Sequence, residues 1–157
     1  IPIFGVFALI GYIRKIIKNV VKGDTKALPE FGSFGANLSD GFMLFVKMIP
    51  VIVLFWIVML VLAFIPIIGW IAILLIELFI LPWLFINLVV KDSVAATFEI
   101  SKAAKIVFGN IGEYILALVK TLGYLVVYGL LSIVLVGIPC LYFGQQLFIA
   151  RFYAENK

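Results

Sequence analysis

The sequence predicts an all-α integral membrane protein with about five transmembrane helices, the first of them cut short, and about two interfacial amphipathic helices. Composition and the spacing of charges carry that expectation. The chain is 66% hydrophobic and 13% charged, whereas a soluble domain is roughly half apolar and a quarter charged. The run from Met48 to Ile76 has no charge, and Glu77 alone separates it from a second charge-free run, Leu78 to Val90. Since about 20 apolar residues cross a hydrocarbon core of roughly 30 Å, these runs hold two spans. A backbone in lipid must satisfy its own hydrogen bonds, which leaves helices or closed barrels. Polar and apolar residues do not alternate here, so helices follow. The whole chain, 1–157, reads as a single transmembrane domain.

Each element can be justified in order. The apolar segment 1–13 is a partial span of roughly 20 Å; either more apolar sequence precedes it or it is not a complete crossing. Its charges follow the apolar part and no small-residue cleavage site is visible, which argues against a signal peptide. Along 13–22, Ile13, Ile16, Ile17, Val20 and Val21 share one helical face, with Arg14, Lys15, Lys18 and Lys22 opposite. That is the pattern of an interfacial helix. Its basic face suits anionic lipids at the cytoplasmic leaflet, and the same charges also serve as ordinary stop-transfer residues.

Gly23 and Asp24 end this helix, and 27–38 reads as a loop with Pro29, Gly32 and Gly35. Ser39 or Asp40 is expected to cap the second span, 44–65, in which Lys47 can snorkel. An uncharged turn around Pro66 and Gly69 folds it into a hairpin with the third span, 70–90, where Pro82 predicts a kink. A second interfacial helix, 93–108, sets Ala96, Ile100, Ala103 and Val107 against Glu99, Lys102 and Lys105. The fourth span, 111–136, and the fifth, 139–153, meet at another uncharged turn containing Gly137 and Pro139.

Five crossings place every one of the twelve basic residues except Lys120 on one side, which the positive-inside rule assigns to the cytoplasm. The expectation is a multi-pass protein of the cell membrane with basic loops and C-terminus cytoplasmic. The formal charge of +4 is then a property of those loops, and no nucleic-acid partner is expected.

The chain has no histidine, which excludes histidine-based zinc sites, Ser-His-Asp and Cys-His catalysis and histidine-bound haem. With Cys140 as its one cysteine, it forms no intramolecular disulfide. Gly32-Ser33-Phe34-Gly35 lacks the spacing and the lysine of a phosphate loop. No cofactor, metal or catalytic residue is expected.

Polar groups inside apolar spans are the candidate sites, because each is expensive there unless partnered. They are Glu77, Lys120, Asn87, Gln145 and Gln146. Glu77 and Lys120 lie about 12 Å and about 24 Å below the outer turns at 1.5 Å per residue. Tilt and side-chain reach could join them in an ion pair, or Lys120 could turn to Glu113. Leu28-Pro29-Glu30-Phe31 reads either as a partner-docking loop or as an interfacial loop anchored by Phe31 and Phe34. Tyr124 and Tyr128, one turn apart, either line a path or pack against a neighbouring helix.

Gly11-Tyr12-Ile13-Arg14, Gly23, Leu28-Pro29-Glu30-Phe31 and Asp40-Gly41, with the glycine-started helix from Gly144 to Tyr153, resemble a mainly archaeal family of polytopic membrane proteins. That family is catalogued as domain of unknown function 4013. The resemblance implies a membrane topology and an archaeal source, and supplies no activity. The expected role is therefore a non-enzymatic accessory or scaffolding subunit of a membrane complex, or a bilayer-organising protein. Its expected partners are the bilayer, anionic lipids, and other subunits or further copies of itself. The alternative is a small transporter or channel using Glu77 and Lys120.

Overall fold

The computed structural model describes residues 2–24, 28–132, 140–141 and 144–156. The expected turn at Gly137 and Pro139, together with Lys26 and Lys157, lies outside them. Every regular element among the described residues is helical.

Helix α1 (Pro2–Val21) is continuous, so the expected partial span 1–13 and interfacial helix 13–22 are one rod. Its stripe of Ile16, Ile17, Val20 and Val21 is buried in the protein core. A stripe read from the sequence as membrane-facing is thus used for packing against other helices, which satisfies the same hydrophobic pattern.

Helix α2 (Phe34–Ala63) starts earlier than expected, because the Ser33 hydroxyl accepts a hydrogen bond from the Ala36 N–H at 3.1 Å. Ser33, and not Ser39 or Asp40, supplies the N-cap. Gly11 and Gly41 let α1 and α2 touch backbone to backbone. A Cβ at Gly41 would lie 1.8 Å from the Phe7 carbonyl oxygen, and one at Gly11 would lie 2.0 Å from that of Asn37. Small residues at a helix crossing allow such close approach. Phe7 then packs edge-on against Phe42 and Phe45, with ring centroids 5.5 and 5.3 Å away.

The return helix comprises α3 (Ile68–Leu75), a π-helical turn (Ile76–Ile80) and α4 (Leu81–Lys91). Pro82 explains much of its form. Proline has no N–H to offer the carbonyl four residues back, which is that of Leu78. The Tyr114 hydroxyl donates to this oxygen at 3.0 Å. The irregularity that Pro82 predicts is therefore a π turn just ahead of it, held by a tyrosine from another helix.

Asp92 closes α4 in the left-handed region, φ 54°, with its N–H on the Leu88 carbonyl. Aspartate tolerates that conformation better than most residues. The expected helix 93–108 is two pieces, a 3₁₀ turn (Val94–Phe98) and α5 (Ile100–Gly109), which meet at Glu99. The Thr97 hydroxyl donates to the Val94 carbonyl at 2.6 Å, a local bond that suits the tighter turn. Of the expected membrane face, Ala96, Ala103 and Val107 are buried and Ile100 is exposed. Helix α6 (Ile111–Leu131) follows, and α7 (Leu147–Asn156) ends the fold.

The core occupies one end of the molecule. Buried side chains stop at Leu44 on α2 and at Ala117 on α6, and on the return helix they begin at Ile80. Into this end pack the second half of α1, α4, α5 and α7. Beyond those limits α2, α3 and α6 expose large apolar side chains, such as Trp56 at 72%, Ile68 at 72% and Leu130 at 65%. Among the described residues three segments, Phe34–Ala63, Ile68–Lys91 and Ile111–Leu131, are long and apolar enough to cross a membrane.

Candidate functional site

At the packed end the elements are tied together by charge. Arg14 is 7% exposed, so its guanidinium needs counter-charges. It pairs with Asp92 at 2.7 Å and Asp40 at 3.4 Å. Lys47 bonds the Asp92 carboxylate at 2.8 Å and its carbonyl at 3.0 Å. Asp92 thus joins α1, α2 and the end of α4. The Lys47 hydrogen bond, with both cations nearby, holds its carboxyl below the usual aspartate range. Next to this clamp Lys91 donates to Glu99 at 2.6 Å, and the same hydrogen bond keeps the Glu99 carboxyl low.

These contacts correct the expected anionic-lipid face. Arg14 is a buried structural cation and does not belong to that face, because the two aspartates draw it inward. Lys15 donates to the Phe31 carbonyl at 3.3 Å. Lys18 is half-buried, with its pKa lowered by desolvation and by Arg14. Lys22, Lys102 and Lys105 remain exposed.

The Leu28-Pro29-Glu30-Phe31 loop is pinned through its backbone. The Pro29 carbonyl accepts from the Tyr12 hydroxyl at 2.7 Å, and the Phe31 carbonyl accepts from the Asn37 amide at 2.6 Å. Phe31 also lies against the Tyr12 ring, at 5.3 Å. Leu28 and Glu30 point outward.

Asn87 is fully buried at the centre of the core. Its amide donates to the Ala96 carbonyl at 2.8 Å, and its oxygen accepts from the Tyr153 hydroxyl. Asn87 therefore fastens the 3₁₀ turn and α7 to α4. Gln145 and Gln146 line a cleft of 150 Å³ with Arg14, Leu44 and Phe85. Tyr124 packs on Tyr128 with centroids 4.3 Å apart and donates to the Cys140 carbonyl at 2.6 Å.

The two charged candidates lie apart. Glu77, on the π turn, lines a groove of 340 Å³ between α2 and α4, whose walls include Met48, Val51, Phe55, Met59, Leu81 and Leu84. Its carboxylate has no ion-pair partner among the described residues. Lys120 lines a different groove, of 180 Å³, with Glu113, Arg151 and Glu155 between α6 and α7. The expected Glu77–Lys120 ion pair is therefore not formed: the π turn directs Glu77 toward α2, while Lys120 faces α7. Among the described residues no group of three acidic or cysteine side chains could hold a metal ion.

Sequence reasoning missed the clamp and the Tyr153–Asn87 contact. A signal existed for the Tyr114 bond, since Pro82 leaves an orphan carbonyl that requires a donor in apolar surroundings.

A family model described as protein of unknown function (DUF4013) matches residues 1–137. The chain belongs to the DUF4013 family. The matched range holds the clamp, the pinned loop and the Glu77 groove of this DUF4013 protein, while α7 lies beyond it. No curated protein and no solved structure matches the chain.

Proposed function

We propose that this protein is a non-enzymatic membrane subunit that docks a helix of another membrane protein along the Glu77 groove. One observation carries the reading: an unpaired carboxylate lines an apolar groove on a helix long enough to cross a membrane. A carboxylate at that depth costs about 3 kcal/mol on insertion scales unless it is partnered. A spanning helix that brings a lysine, an arginine or a hydroxyl to Glu77 removes this cost and covers the exposed apolar faces of α2 and α3. The packed end supplies a rigid base for the assembly.

In this reading the chain crosses the cell membrane about five times, with its basic loops cytoplasmic and the Pro66 turn outside. Lys22, Lys102 and Lys105 lie close to anionic headgroups, and Leu28 and Glu30 offer a second contact for the same partner. A transporter or channel using Glu77 and Lys120 is the rival. The π turn favours it, since such turns recur at functional sites, but the separate grooves of the two residues supply no common path.

Purification from native membranes in mild detergent, followed by native mass spectrometry, tests the proposal. A stoichiometric foreign membrane subunit supports it. A chain that carries only lipid contradicts it, and a pure homo-oligomer with ion conductance in vesicles favours the rival.

A further inference from the structure

The groove between α6 and α7 is layered by charge. The two helices run antiparallel: Asn156 approaches Glu113 at 3.4 Å, the Phe152 ring lies 4.9 Å from Tyr114, and the Phe148 ring lies 6.3 Å from Tyr124. Glu113 and Glu155 therefore share the level nearest the charged end of the molecule. Arg151 lies one turn further in and Lys120 two, about 6 Å and about 10 Å deeper at 1.5 Å per residue. Leu116, Ala117, Phe148 and Phe152 complete the lining. Arg151 reaches back to Glu155 at 2.9 Å, and Lys120 has no ion-pair partner among the described residues.

We propose that this groove seats the headgroup of a phospholipid bearing a primary ammonium, with its phosphate on Lys120 and Arg151 and its ammonium on Glu113 and Glu155. The order of charge matches such a lipid standing in a leaflet: ammonium outermost, phosphate beneath it, chains below. An anionic headgroup without a cation would bring its outer end against two carboxylates. A quaternary ammonium fills the space but has no N–H to give them. Lys120, solitary in an apolar span, thereby gains a counter-charge without crossing to Glu77. The site is independent of the Glu77 groove, so either proposal can fail alone.

The test uses the full chain in nanodiscs made of equal parts ethanolamine, choline and glycerol phospholipids, with retained lipid read by native mass spectrometry after mild delipidation. The ethanolamine lipid should be retained about tenfold over the glycerol lipid, the factor given by one charge-assisted hydrogen bond. Lys120→Met should lower retention of all three, also by about tenfold. Glu113→Gln with Glu155→Gln should keep phosphate binding and abolish the preference for ethanolamine. These side chains are exposed, and unchanged melting temperatures will show that the variants fold. Equal or greater retention of the glycerol lipid by the unmodified chain overturns the proposal. Wild-type retention in Lys120→Met, or no retained lipid at all, overturns it too.

Discussion

Replacing Gly41 by alanine tests whether α1 and α2 are in contact as close as described. The added Cβ would lie 1.8 Å from the Phe7 carbonyl oxygen, 2.7 Å from the Gly11 nitrogen and 2.8 Å from the Phe7 carbonyl carbon. All three are backbone atoms, so no side chain can swing away. To reach even 3.0 Å, the shortest separation that real Cβ atoms tolerate, the helices must part by about 1.2 Å. That movement pulls on the Phe7 contacts with Phe42 and Phe45 and on the Asn37 bond to the loop. Overpacking of this kind costs about 1–3 kcal/mol, and rigid backbone on both sides places Gly41→Ala near the top of the range. For a chain of this size, about 3 kcal/mol corresponds to a fall of roughly 6–12 °C in melting temperature. Gly35→Ala in the same helix is the control: its Cβ meets nothing within 4 Å, and alanine's better helix propensity makes it neutral or stabilising by up to about 1 kcal/mol. Thermal unfolding in detergent, followed by size-exclusion fluorescence, reads both. A Gly41→Ala protein that melts at or above the unmodified temperature would refute the close crossing.

Tyr153→Phe leaves the buried Asn87 oxygen without its donor and should destabilise by about 1–3 kcal/mol in the same assay; no loss would mean that α7 is held by apolar packing alone. Asp92→Asn removes a charge from both Arg14 and Lys47. Because Asp92 is 44% exposed and Asp40 stays on Arg14, about 2 kcal/mol is expected, below the value for a fully buried pair. The carboxyl of Asp92 is lower in the folded state than in the unfolded chain, so its stabilisation is complete above about pH 4 and is lost as pH falls further. Acid unfolding profiles should therefore be shallower in Asp92→Asn, and identical profiles would remove the clamp from the account. Single cysteines at Lys22 and Lys102 in a Cys140-free background should label only from the cytoplasm, and one at Pro66 only from outside; labelling of residue 22 in intact cells would reverse the topology.

Spans were more legible than packing. A charge-free stretch is read directly from the residues, and the expected 44–65, 70–90 and 111–136 each overlap a long apolar helix among the described residues. An amphipathic stripe, by contrast, states only that one face leaves water. Whether lipid or protein receives it depends on contacts distant in sequence, which is why Ile16, Ile17, Ala103 and Val107 read as membrane-facing and are core. Arg14 carried the same ambiguity: beside Lys15 and Lys18 it looks like part of a basic face, and only the left-handed turn at Asp92 brings the aspartate to it. The helix start at Ser33 was missed because Gly32 and Gly35 on either side read as loop. For the candidate sites, the expense of a charge in an apolar span singled out Glu77 and Lys120, but helix rotation decided that one faces α2 and the other α7.

The most direct measurement of the central claim is photocrosslinking from the Glu77 groove in native membranes. A photoreactive residue replacing Val51 or Met59, both groove-lining, should yield one crosslinked peptide from an apolar helix of another protein that carries a lysine, an arginine or a hydroxyl at the level of Glu77. Glu77→Leu should remove that product. Crosslinks to lipid alone, in the same amount with and without Glu77→Leu, would contradict the claim that the groove is a docking site.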